Sequence, residues 1–368
     1  MHVLSQKVNL KGEVDDSYNI YFVEDFFQEV PQSLDMGRKY AIITDSNIRP
    51  LYAERLKTTL EQMSIECEIF SFPAGEQSKT IETCAKIADE MSKLKFGRDS
   101  TILALGGGVV GDVAGFIASI FNRGIPYIQI PTSVLAQADS AVGGKTAVDT
   151  QNGKNLLGVF KQPAAVYVDV NVLDALPEKE IRNGLAETIK HSIIQDFLFL
   201  KELKELLPDL ISKKKEALMH IAMKNCKIKG NVVEKDPKEN GFRRILNYGH
   251  TVGHAIEKLS DYKLSHGECV SIGMMATGRI AIALHTGFNE DDLKEQKEIL
   301  EKAGLPTTIP SEFSNDEIIE VTSRDKKAKD GCARYCLPTR IGAMHDFGGD
   351  YVIHVDNETV REALDATR

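Results

Sequence analysis

The stretch Thr101-Ile102-Leu103-Ala104-Leu105 carries no charged side chain and runs straight into Gly106-Gly107-Gly108-Val109-Val110-Gly111-Asp112. A strand without polar alternation must be covered on both faces, the condition of a parallel sheet flanked by helices. The glycines that follow fit a G-x-G-x-x-G spacing, and the next residues read as a helix to about Asn122. Glycines there let backbone approach a phosphate while the helix N-terminus offers free N–H groups. The acidic residue usual about twenty positions later is missing. A nucleotide phosphate is the favoured reading, and a tight strand–helix turn is the plain alternative.

The surrounding rhythm agrees with a covered parallel sheet. Tyr40-Ala41-Ile42-Ile43-Thr44, Cys67-Glu68-Ile69-Phe70, Tyr127-Ile128-Gln129-Ile130 and Ala165-Val166-Tyr167-Val168-Asp169 read as strands, with helices near 51–63 and 80–94 between them. This β-α-β-α order predicts an α/β, Rossmann-like half. From Pro177 helical periodicity dominates, with segments near 178–194, 197–206, 215–233, 249–259, 267–286, 290–303, 315–322 and 357–366. A chain of 368 residues is long for one core. The expected organisation is an α/β domain over 1–176 and an all-α domain over 177–368, with a ligand cleft between them.

The formal charge of −9 and the lack of any basic block beyond Lys213-Lys214-Lys215 argue against nucleic acid. Met1 to Lys7 shows no apolar signal region, and no apolar span is long enough for a bilayer. Cys67, Cys84, Cys226, Cys269, Cys332 and Cys336 show no CxxC spacing and read as reduced thiols of a cytoplasmic protein. Asp139-Ser140-Ala141-Val142-Gly143-Gly144-Lys145-Thr146 ends like a Walker A loop but places Asp where that loop needs its first glycine. It reads instead as a glycine-rich turn whose Lys145 can grip an anion, with Lys154 and Asn155 close behind.

Two imidazoles, His250 and His254, stand four residues apart in Leu246-Asn247-Tyr248-Gly249-His250-Thr251-Val252-Gly253-His254-Ala255. On a helix they share a face and can hold a metal, or pair one ligand with one proton carrier. Alone, such a pair can equally cap a helix or face solvent. Gly184-Leu185-Ala186-Glu187-Thr188-Ile189-Lys190-His191 and Leu264-Ser265-His266-Gly267-Glu268 add a carboxylate, an amine and further imidazoles.

With Pro73-Ala74-Gly75-Glu76-Gln77-Ser78-Lys79, Leu103 to Gly115, Arg123 to Lys154 and Asp325-Lys326-Lys327, these motifs resemble, in order, the 3-dehydroquinate synthase family of sugar-phosphate cyclases. The resemblance implies an NAD- and zinc-dependent lyase (cobalt as an alternative), commonly a homodimer. It implies conversion of 3-deoxy-D-arabino-heptulosonate 7-phosphate to 3-dehydroquinate, on the way to chorismate and aromatic amino acids. The implied course is transient oxidation of a carbinol, loss of phosphate, return of the hydride and internal aldol closure, the substrate's own phosphate taking a proton.

Residue by residue, the resemblance makes Glu187, His250 and His266 metal ligands and His254 a proton-transfer group. His191 is left structural. Asp45 and Asn47 match the adenosine end of NAD; Gly75, Glu76, Lys79 and the run Gly107, Gly108, Val109, Val110, Gly111 and Asp112 follow. Thr132, Ser133, Lys145, Lys154 and Val172, Leu173, Asp174 and Ala175 complete the cofactor match. Arg123, Asp139, Lys145, Lys190, Asn155, Lys229, Arg243, Asn247 and Lys326, or its neighbour Lys327, fall on substrate positions. Ser133 and Ala175 replace common threonines, and Asp149 a frequent asparagine.

Related cyclases acting on substrates without a carboxylate usually alter the positions of Arg243 and Asn247, both standard here. A polyol dehydrogenase would release NADH and needs fewer cations. A dead nucleotide-binding scaffold is expected to lose some of these charged groups.

Overall fold

The computed structural model describes residues 15–151, 153–323 and 333–368. Through Asp169 the chain forms β1 (Asn19–Val23), α1 (Phe26–Ser33), β2 (Tyr40–Asp45), α2 (Glu54–Gln62), β3 (Cys67–Phe72), α3 (Ile81–Lys93), β4 (Thr101–Gly106), α4 (Gly108–Ile120), β5 (Tyr127–Pro131), β6 (Lys145–Thr150), β7 (Gly153–Phe160) and β8 (Ala165–Asp169). Six of these strands make one parallel sheet in the order β1-β8-β5-β4-β2-β3. Winding proceeds outward from β2 to β3, then reverses to β4, β5 and β8. The reversal therefore falls between β2 and β4, and ligands of such sheets bind outside the carboxyl ends at that crevice.

The apolar run that opened the sequence reading is the centre of this sheet, and every residue of β4 is buried. One apolar core lies over the face that carries α1 and α2 and continues into the helical half; a second, smaller core lies under α3 and α4. The two remaining strands, β6 and β7, pair antiparallel as a separate hairpin. From sequence this region reads as glycine-rich turns, and β1 and α1 show no comparable pattern.

Beyond Asp169 come α5 (Glu178–Gln195), α6 (Phe197–Ile211), α7 (Lys215–Lys235), α8 (His250–Leu259), α9 (His266–Ala283), α10 (Glu290–Lys302), α11 (Asn315–Ser323) and α12 (Asn357–Asp365). Short antiparallel pairings between residues 334 and 354 interrupt what the periodicity presented as purely helical. No helix among the described residues is long and apolar enough to cross a membrane. Cys67, Cys84, Cys226, Cys269 and Cys336 are buried thiols.

The crossing of α8 and α9 is unusually close. A Cβ on Gly273 of α9 would lie 1.9 Å from the Gly249 carbonyl oxygen, so only glycine permits this approach. Gly249 itself, at the head of α8, has φ +76°, a left-handed conformation that glycine adopts without strain. The start of α9 is fixed by a capping box in which Ser265 and Glu268 exchange hydrogen bonds, which sets His266 in the first turn.

Candidate active site

Because the six strands are parallel, their carboxyl ends share one edge, and the expected cofactor residues gather there. Asp45 ends β2 and accepts from the Asn47 and Ile48 amides at 2.8 and 3.0 Å. Gly107 begins α4 without a side-chain cap, so the first-turn N–H groups of Gly108, Val109 and Val110 remain available to an anion. A Cβ on Gly106 would meet Val110 at 2.5 Å, which binds the turn tightly to its helix. The Thr132 amide donates to the Gly106 carbonyl at 2.9 Å and Ser133 Oγ accepts from Ala136 N at 3.2 Å, both just past β5. Val172, Leu173, Asp174 and Ala175 form a 3₁₀ turn just past β8. These features fit a dinucleotide. Gly75, Glu76 and Lys79 follow β3, with Lys79 buried against Asp112 at 2.5 Å and donating to Asn155 Oδ1 at 2.6 Å. Burial alone would lower the Lys79 pKa, but Asp112 and Glu76 raise it.

Across from this edge, α5, α8 and α9 bring Glu187, His250 and His266 together. Glu187 Oε1 lies 3.4 Å from His250 Nε2 and 3.4 Å from His266 Nε2. This oxygen is buried and accepts no hydrogen bond. His250 Nδ1 lies 3.0 Å from the Tyr248 carbonyl; donating there, it leaves the Nε2 lone pair facing Glu187. One carboxylate oxygen and two imidazole nitrogens therefore converge closely enough to share one ion. That donor set fits a divalent ion and leaves positions open to substrate. Lys190 grips the other Glu187 oxygen.

The charges follow from this geometry. Burial would raise the Glu187 pKa, yet Lys190, His250 and His266 hold it well below the ordinary carboxylate range. Burial together with the Lys190 charge lowers His250 to about 3. For His266 burial also favours the neutral ring, but Glu187 and Glu257 outweigh it and raise the value to about 9. The His254 ring centroid lies 5.1 Å from that of His250 and 5.9 Å from that of His266, close enough to work beside the ligands.

The cationic and amide residues form a contiguous layer next to the ligands. Lys229 meets Asp139 at 2.7 Å, and Asp139 lies within ligand distance of Glu187 and His191. His191 is fully buried, held by Asn225 at 2.9 Å. Lys145 meets Glu239 at 2.6 Å, and Asn247 donates to the same carboxylate at 2.7 Å. Arg243, fully buried, donates to the Gly143 and Pro237 carbonyls at 2.8 and 2.7 Å. Lys154 lies 3.1 Å from Glu257 and 3.2 Å from Glu76.

One expected substrate residue is not brought here. Arg123 follows the C-terminus of α4 and precedes β5, which puts it at the amino edge of the sheet, opposite the glycine turn. Lys326 and Lys327 lie outside the described residues. Conversely, Glu239 and Glu257 were missed. Nothing in their local sequence marks them; only the partners Lys145, Asn247, Lys154 and His266 do. Asp149, a departure without apparent consequence in the sequence, accepts from the Asn155 amide at 2.8 Å.

A nucleotide-type parallel sheet beside a Glu-His-His cluster able to hold a metal points to a class of nucleotide- and metal-using enzymes, and solved structures with both groups bound superpose over nearly the whole chain. The 2-epi-5-epi-valiolone synthase of Streptomyces hygroscopicus, with NAD+ and Zn2+ bound, matches at a TM-score of 0.88 and 25% identity, covering 98% of this chain and 99% of that one. A 2-deoxy-scyllo-inosose synthase complexed with carbaglucose-6-phosphate, NAD+ and Co2+ matches at 0.83 and 26%, covering 94% and 96%. Residues 69–183 match the family model of the 3-dehydroquinate synthase N-terminal region and 184–328 that of its C-terminal region. The 3-dehydroquinate synthase of Acetivibrio thermocellus is 42% identical over 345 residues, 93% of this chain and 94% of that protein. The chain belongs to the 3-dehydroquinate synthase family.

Proposed function

We propose that the chain converts 3-deoxy-D-arabino-heptulosonate 7-phosphate to 3-dehydroquinate and phosphate, as an NAD- and divalent-metal-dependent carbon–oxygen lyase of the shikimate pathway. The observation that carries this is the Glu187-His250-His266 convergence beside a layer of cations, in a chain 42% identical to a 3-dehydroquinate synthase. When bound, NAD supplies a reversible hydride acceptor and zinc, or cobalt, a Lewis acid.

The chain's own residues do the rest. Glu187, His250 and His266 would hold the ion, with Lys190 orienting Glu187 through its second oxygen. Lys145, Lys229, Arg243 and Asn247 bind the carboxylate and phosphate of the substrate, a task suited to several cations and a planar guanidinium. Asp139 and Glu239 hold Lys229, Lys145 and Asn247 in place, and an arriving anion exchanges with them. His254 moves protons at the ring oxygens next to the ligands. Asp45, Asn47 and the glycine turn hold the dinucleotide, whose phosphates meet the α4 N-terminus.

The same reading assigns residues 1–176 to NAD and 177–368 to metal and substrate, in a cytoplasmic homodimer. Leu156, Leu157, Val159 and Phe160 are exposed on β7, which among the described residues pairs only with β6; a second copy would cover this apolar edge.

The test is phosphate release by zinc-loaded protein given the heptulosonate phosphate and a catalytic amount of NAD. Phosphate in many-fold excess over NAD is expected. Stoichiometric NADH without phosphate would make it a dehydrogenase, and no reaction with NAD retained would make it a scaffold.

A further inference from the structure

One line of charged groups crosses from the glycine turn to the metal ligands, and its last member before His266, Glu257, has no part in the steps above. Asp112 pairs with Lys79 at 2.5 Å, Lys79 lies 3.8 Å from Glu76, and Glu76 lies 3.2 Å from Lys154. Lys154 lies 3.1 Å from Glu257, and Glu257 lies 3.8 Å from His266. Glu257 is on α8, two turns beyond His250 on the same face, and only 6% exposed.

Its two oxygens serve different halves of the molecule. Oε2 faces His266 Nδ1, while Nε2 of the same ring faces Glu187 Oε1. A carboxylate on the far nitrogen of a ligating imidazole fixes the ring's orientation and tautomer and strengthens it as a ligand. Oε1 takes the ammonium of Lys154, which belongs to β7, lies 4.4 Å from the Tyr262 ring centroid and reaches Glu76 beyond β3. His254, Glu257 and His266 also come within ligand distance of one another. Lys154 already supplies the cation for Glu257, so that group needs no second ion.

We propose that Glu257 is a positioning residue that couples metal binding at Glu187, His250 and His266 to dinucleotide binding at the glycine turn. The proposal takes the two ligands from the reading above and goes beyond it in linking them. A ring held by an ion presents Nδ1–H to one oxygen in one place. That pins Glu257, which pins Lys154 and through it Glu76, next to Lys79 and Asp112. Groups ordered by the first ligand need not be ordered again by the second, and the effect is reciprocal.

The experiment measures the Zn2+ dissociation constant of apo-protein by competition with a chromophoric chelator, with and without saturating NAD+. NAD+ should tighten wild-type zinc binding by about 5-fold or more. Glu257→Gln keeps an acceptor for His266 but loses the charge facing Lys154; its zinc binding should survive while the NAD+ enhancement falls toward one. Glu257→Ala should bind zinc about 10- to 100-fold more weakly and show altered Co2+ visible absorption bands. A role in stability alone would lower Tm and leave these constants and bands unmoved, which would overturn the proposal. So would a wild type without enhancement, or Glu257→Gln with enhancement intact. Should Glu257→Ala not fold, the Gln variant and Lys154→Met, also expected to lose the enhancement, decide. No turnover is measured, so failure of the proposed reaction leaves this result readable, and the reverse holds too.

Discussion

Gly273→Ala tests whether the α8–α9 crossing sets the metal geometry. The added methyl would sit 1.9 Å from the Gly249 carbonyl oxygen and 2.7 Å from the Gly253 amide nitrogen, backbone atoms that cannot rotate aside. Restoring ordinary contact requires the helices to part by about 1.5 Å. His250 follows Gly249 directly and His266 opens α9, so the two proposed ligands separate with their helices. That exceeds the ~0.5 Å tolerance of a preorganised site. Overpacking of this kind costs about 1–3 kcal/mol. Zinc binding should weaken about 10-fold or more, and phosphate release should slow by about 10²-fold. Guanidinium unfolding, chelator competition and a phosphate assay read the three quantities. Gly230→Ala on α7 is the control: a Cβ there meets nothing within 4 Å, and it should gain about 0.4–1 kcal/mol. Wild-type stability and zinc affinity in Gly273→Ala would refute the idea that this contact spaces the ligands.

His250→Ala should lose bound metal, whereas His254→Ala should keep it and lose rate; equal metal content in the two, read by atomic absorption, would reverse their roles. Asp236 carries a pH prediction. Burial alone would raise its pKa, but the Gly241, Asn240 and Arg243 amides donate to it and lower it. A depressed folded pKa means stability that is present above the unfolded value of about 3.9 and lost as pH falls through the folded one. Asp236→Asn should therefore cost about 1–3 kcal/mol at neutral pH. In urea titrations the gap to wild type should narrow once pH drops below the ordinary carboxylate range; a constant gap from pH 7 to 3 would contradict the sign.

The sheet was readable because its strands are buried on both faces, so burial leaves a local mark: β4 is an unbroken apolar run followed by glycines. The β6–β7 hairpin left no such mark. Its glycines read as turns, and the large apolar residues of β7 are exposed, without the alternation that signals a half-buried strand. In the site, four-residue spacing singled out His250 with His254, and only family resemblance put forward His266 with Glu187. The fold puts all three rings within reach, but the orphaned Glu187 oxygen faces His250 and His266. Glu239 and Glu257 were invisible because each acts on a partner distant in sequence. Lys154 is 103 positions from Glu257, and no periodicity reports such a pair.

The placement of β1 imposes an order of events on synthesis. Asn19 is aligned with Ala165 and Val23 with Asp169, so the earliest strand among the described residues finds its neighbour only after nearly half the polypeptide has been made. Contacts so distant along the chain form late and slowly. Until β8 arrives, the aromatic pair Phe26 and Phe27 lacks part of its final packing surface, which leaves an apolar segment partly open to chaperones.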